Sequence, residues 1–119
     1  MSNTVELAKR YFELSNQSDM NSIDAMFTDS STYSSVNTGV YLGRLQIMTM
    51  MRAFHSAYAS LNWTIDSIKE IRPGVAQIAF TLRSVNTQGE VTESHGSEYV
   101  LAFNGRLQHV EVRNVHQCS

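Results

Sequence analysis

The hydrophobic residues of this chain change their spacing near residue 60. Before that point they recur every three or four positions; after it they mostly alternate. Val5, Ala8 and Tyr11 or Phe12 repeat at helical spacing, with Leu7 and Leu14 widening the stripe, which predicts a helix over about 4–16. Asn16-Gln17-Ser18-Asp19 interrupts it, and Ser18 or Asp19 can cap a second, short helix over about 19–27. Thr32, Tyr33 and Val36 then read as a short strand over 31–36, followed by a loop holding Gly39 and Gly43. A third helix is predicted over 44–58, with Ile47, Met51, Phe54 and Tyr58 on one face and Met48 and His55 beside it.

The second half, from Leu61 to Val115, predicts four strands joined by three turns: Pro73-Gly74, Asn86-Thr87-Gln88-Gly89 and Asn104-Gly105. The Asn-Gly pair is the strongest of these, because both central residues of a type I′ turn need positive φ. Trp63 and Ile65 alternate with polar residues, and Ile68 and Ile71 shift the phase, which predicts a bulge. Ala76, Ile78, Phe80 and Leu82 form one face; Gln77, Ala79 and Thr81 form the other. Tyr99, Leu101 and Phe103 share a parity with His95 and Ser97. In the last strand Leu107 has the parity of His109 and Glu111, whereas Val110 and Val112 have the other. A bulge near His109 reconciles them. Helices followed by an antiparallel meander predict an α+β domain over 1–119, its sheet wrapping the helices and leaving a hollow between.

Composition narrows the partners. The 119 residues carry a net charge of −2, and the nine Lys and Arg are scattered. No basic stripe exists, so nucleic acid is not an expected partner. No apolar run reaches the roughly 18 residues of a membrane span, and the N-terminus lacks signal-peptide character. The single cysteine, Cys118, cannot form an internal disulfide, which suits a reducing, cytoplasmic setting.

Candidate chemistry is thin. No phosphate-cradling glycine loop occurs, so no diffusible cofactor is expected. The four histidines, His55, His95, His109 and His116, show no His-x-His or His-x₃-His spacing, so no metal site is expected. His95 could act as an acid or base if its strand face points into the hollow; otherwise it lies in solvent near Glu93. His55 could face the hollow from the third helix or be an ordinary partly buried histidine. The face of His109 depends on the bulge. Tyr33 and Trp63, each with an apolar body and a polar tip, are the best lining candidates. Met48, Met50 and Met51 suit either an adaptable wall or plain core. Arg83 and Arg113 could clamp an anion or lie solvated.

Ala25-Met26-Phe27-Thr28-Asp29 followed by Tyr33, Gly43-Arg44 before an apolar helix, Trp63-Thr64-Ile65 with Ile68, and Asn104-Gly105-Arg106-Leu107 occur in a familiar order. From about residue 4 to 115 the chain resembles the nuclear transport factor 2-like superfamily, and within it the small SnoaL-like polyketide-cyclase and ketosteroid-isomerase-like proteins. The resemblance implies three helices in the concave face of a strongly curved, mostly antiparallel sheet: a cone-shaped, cystatin-like α+β barrel. It also implies a homodimer through the sheet's outer face.

Departures from that pattern bear on the chemistry. Ser34-Ser35-Val36-Asn37 stands where ketosteroid isomerases carry a general-base aspartate, and serine cannot abstract a carbon-bound proton without an activating base. Only Asp29 and Asp66 lie beyond Phe27, against the arginine-bridged aspartate pair of limonene epoxide hydrolase-like members. Glu98 and Glu111 are the candidates for the late-strand acid of SnoaL-type cyclases. The expectation is a pocket protein for a small apolar, oxygenated molecule. Tyr33, Met51, Trp63, Phe80, Tyr99 and Val112 would line the pocket. His95, His55 or His109 would carry any proton transfer, with Tyr33 or Tyr99 as hydrogen-bond donor. The alternative is a non-catalytic dimeric binding or accessory domain. An inward-facing pair of titratable groups would separate the two.

Overall fold

The computed structural model describes residues 3–117; Cys118 therefore lies outside the described residues. Three helices come early: α1 (Asn3–Asn16), α2 (Met20–Asp24) and α3 (Arg44–Ser56). Six strands make up the rest: β1 (Phe27–Ser35), β2 (Gly39–Leu42), β3 (Tyr58–Arg72), β4 (Val75–Asn86), β5 (Val91–Phe103) and β6 (Arg106–Gln117). The sheet order is β2-β1-β6-β5-β4-β3. Every neighbour is antiparallel except β1 and β6. The result is a curved, unclosed, cone-shaped α+β fold with the helices in the concave face. Among the described residues no helix is long and apolar enough to cross a membrane.

Each boundary has a local cause. Asp19 caps α2, its carboxylate accepting from Ser22 N at 3.2 Å. That helix stops at Asp24, three residues before the predicted end, because Phe27 is drawn into the sheet opposite Leu107. Tyr58 likewise belongs to β3, not to the third helix. The predicted loop around Gly39 is an edge strand, β2, pairing Tyr41 with Tyr33. Gly43 turns the chain into α3 at φ 88°, and a Cβ there would sit 3.3 Å from the Asp29 carbonyl. The next residue, Arg44, reaches Asp24 at 3.5 Å and Asp29 at 3.2 Å, tying three elements together.

The strand half follows its turn chemistry. Asn104 and Gly105 both adopt positive φ, 52° and 74°, as the type I′ reading requires. The register of β5 with β6 slips between Leu101–His109 and Ala102–Leu107, so Gln108 is the extra residue of a bulge beside His109. Leu107, Val110 and Val112 thereby all face the core and are buried. A second slip at Asn114, φ 56°, returns Val115 to the same face. In β3 the register slips at Asp66 and again at Ile71. The core is formed by Phe27, Ile23, Ile47, Ile78, Val100 and their neighbours, between the sheet's inner face and the helices.

Candidate active site

A cavity of about 120 Å³ remains between α1, α3 and the inner face of the sheet. Trp63, Met50, Met51, Phe80 and Val112 make its apolar wall. Asn16 positions the tryptophan: its side chain accepts from Trp63 N at 2.6 Å and donates to Trp63 O at 2.9 Å. The end of α1 thus behaves as a short extra strand beside β3. Gly96 makes room on β5. A Cβ there would fall 2.6 Å from Phe80 Cζ, so the missing side chain is the space the phenyl ring occupies.

A carboxyl and two phenols are among the polar groups that line this cavity. Glu98 on β5 is 5% exposed and lines it together with Tyr11 of α1 and Tyr33 of β1. Its Oε2 is buried without a hydrogen-bond partner. Burial alone pushes the Glu98 carboxyl up to about 8, so at neutral pH it is mostly a neutral acid with a proton to donate. Burial also raises both phenols, and the Glu98 carboxyl pushes them the same way. Both therefore stay protonated donors.

His55 of α3 lines another part of the wall. Its ring lies 5.6 Å from the Trp63 ring, and its Nδ1 is 2.9 Å from Ser18 Oγ. Burial pulls the imidazole below its usual range. It is accordingly neutral at pH 7, with one nitrogen free to accept a proton when the other donates to Ser18.

The structure separates the remaining candidates. Of the six expected lining residues, Tyr33, Met51, Trp63, Phe80 and Val112 line the cavity. Tyr99 does not: it lies on the outer face of β5, half-buried, accepting from Gln77 Nε2 at 3.2 Å. His95 shares that outer face, exposed, with its Nδ1 2.9 Å from Thr81 Oγ1. His109 is on the outer side as well, bonded to Thr32 at 2.7 Å and to Glu111 at 2.9 Å. That histidine holds the Glu111 carboxyl below the usual carboxylate range. Arg113 approaches the same carboxylate at 3.5 Å, while Arg83 is exposed. Met48 packs in the core.

Tyr11 was missed altogether, and Glu98 could not be assigned a face from sequence. The signal was parity. Residues 96, 98 and 100 point inward, but residues 99, 101 and 103 are larger and more apolar, and that set suggested the opposite assignment.

No protein-family model matches the sequence, and no curated protein is similar to it in sequence. Solved structures are similar in shape. A candidate SnoaL-like polyketide cyclase from Shewanella putrefaciens superimposes with a TM-score of 0.83 at 11% identity, over 97% of this chain and 90% of that one. An NTF2-like protein of unknown function from Burkholderia pseudomallei gives 0.83 at 16% identity, over 95% and 91%. An LEH-like epoxide hydrolase from M. tuberculosis gives 0.81 at 13% identity, over 92% and 80%. At such identities the likeness establishes shape and leaves chemistry open. The chain has the nuclear transport factor 2-like fold, the one shared by SnoaL-like and ketosteroid-isomerase-like proteins.

Proposed function

We propose that this chain is a small-molecule acid/base catalyst of the SnoaL-like type. It would move a proton within, or cyclise, an apolar ligand bearing a carbonyl oxygen. The observation that carries this reading is the buried Glu98 carboxyl, unpartnered at Oε2, in a cavity shared with two phenols and a neutral histidine. Environments that drive an acid up and a base down mark the two partners of a proton transfer. Neutral His55 is the base: it takes a proton from carbon next to the carbonyl. Glu98 and Tyr33 donate hydrogen bonds to the oxygen as it gains charge. Histidinium then returns the proton to another atom of the ligand, so none is gained or lost. The cavity volume is on the scale of one small ring. A monocyclic substrate suits it better than a polycyclic one.

The test is a set of small cyclic ketones and β-dicarbonyls, followed by deuterium exchange from solvent. Wild type should accelerate exchange. Glu98→Ala should lose roughly a hundredfold to ten-thousandfold of that rate, the range typical of one positioned acid. Equal exchange by wild type and Glu98→Ala would refute the catalytic assignment.

The non-catalytic alternative rests on the apolar wall. It would give ligand-induced thermal stabilisation, abolished by Trp63→Ala, with no exchange above background. Dimerisation through the outer face, at the small and polar end where Gln77 and Ala79 lie, belongs to the same proposal. Light scattering should return twice the 13.4 kDa chain mass, and a monomer at micromolar concentration would remove that part.

A further inference from the structure

Two histidines 21 positions apart in sequence meet on the outer face of the sheet. His95 of β5 and His116 of β6 are directly opposed in the antiparallel register. Their ring centres lie 5.9 Å apart with 51° between the planes, and both residues are exposed. Hydrogen bonding fixes the tautomer of each ring. His116 Nδ1 is 3.1 Å from the Asn114 carbonyl, which only accepts, so that nitrogen carries the proton. Thr81 gives its one hydroxyl proton to Asp66 Oδ2 at 2.7 Å. His95 Nδ1, 2.9 Å from the same hydroxyl, must therefore donate to it. In both neutral rings the lone pair then resides on Nε2.

This is how metal-binding imidazoles are prepared. One nitrogen donates to a carbonyl or a carboxylate-backed group, which orients the ring and raises the basicity of the other nitrogen. A cation held at roughly 2.0–2.1 Å by two imidazole nitrogens places the ring centres about 5–6 Å apart, the spacing this pair already has. We infer that His95 and His116 form a two-histidine site for a late first-row divalent cation, with Cu²⁺ preferred over Ni²⁺ and Zn²⁺. Water fills the remaining positions. Among the described residues no three His, Cys, Asp or Glu side chains converge on a point, so the site is open and of modest affinity. Asp66 and Thr81 are positioning residues, acting through His95. The pair stands at the end of the β5–β6 ladder, beside Ser94 and Gln117, and is separate from the cavity.

The test uses the full chain without an affinity tag, titrated with CuCl₂ and separately with ZnCl₂ in a calorimeter at slightly alkaline pH. Histidine ring signals are followed by NMR. One ion per chain should bind, Cu²⁺ the tighter, with the His95 and His116 resonances broadened first. His95→Ala and His116→Ala should each weaken Cu²⁺ binding at least tenfold. Thr81→Val should weaken it by about tenfold, the usual effect of losing a group that orients a ligand. His109→Ala should leave it unchanged. Circular dichroism verifies that each variant is folded. Absence of Cu²⁺ uptake by the wild-type chain overturns the assignment, and so does uptake that survives His116→Ala.

Discussion

Glu98 combines two properties that seldom occur together: deep burial and an acidic oxygen without a partner. An ionised carboxylate in that position would lack both water and a counter-charge, so the proton stays on. Stability must then depend on pH. The unfolded carboxyl loses its proton near its ordinary value of 4.5, whereas the folded one keeps it to about 8. In between, only the folded chain binds the proton, so unfolding free energy falls as pH rises, by about 1.4 kcal/mol per unit at most. The stabilisation is complete below about 4.5 and is lost as pH climbs through about 8. Glu98→Gln should flatten this slope across pH 5–8 in chemical denaturation, and an unaltered slope would show that the carboxyl is solvated. Gly96 is a second residue whose smallness is structural. Gly96→Ala drives a methyl into the Phe80 ring and within 3.0 Å of Val115, both cavity-lining. It should cost about 1–3 kcal/mol and reduce ligand-induced stabilisation. A fully stable variant would mean that Phe80 has somewhere else to go.

Among the elements, those whose signal is local were legible in the sequence. The Asn104-Gly105 hairpin and the meander depend on turn residues a few positions apart. The bulge beside His109 was legible because Leu107 and Val110 cannot both be buried without it. Elements set by distant contacts were not legible. The edge strand β2 is four residues long and exists because Tyr41 pairs with Tyr33. The parallel pairing of β1 with β6 joins residues about 80 positions apart in sequence, with Ser31 Oγ donating to the Leu107 carbonyl at 2.6 Å. The face of β5 was misjudged because its outer side, with Tyr99 and Leu101, is half-buried within the sheet and mimics a core face. That error sent Tyr99 toward the cavity and left Glu98 without a face, while His95 lies in solvent, the alternative offered by its position at the strand start. The Asn16 clamp was equally invisible, being a contact over 47 positions. Asn16→Ala removes both of its bonds to Trp63 and should cost about 1–2 kcal/mol in urea unfolding. A neutral result would mean that water replaces the clamp.

At the scale of the molecule, the fold divides its polar residues between two surfaces. The concave side encloses a small apolar hollow in which Glu98, Tyr11, Tyr33 and His55 are the groups capable of proton transfer. The convex side carries histidines tied into hydrogen-bonded rows across the strands. The pleat of each strand makes this division, because successive side chains point to opposite faces of the sheet. The proposed chemistry in the hollow requires that its acid be protonated at neutral pH. The direct measurement is a carbon-13 NMR titration of the glutamate carboxyl signals, with Glu98 assigned by comparison with Glu98→Gln. A midpoint near 8 is the expected result. A midpoint near 4.5 would place the carboxylate in water and contradict the account.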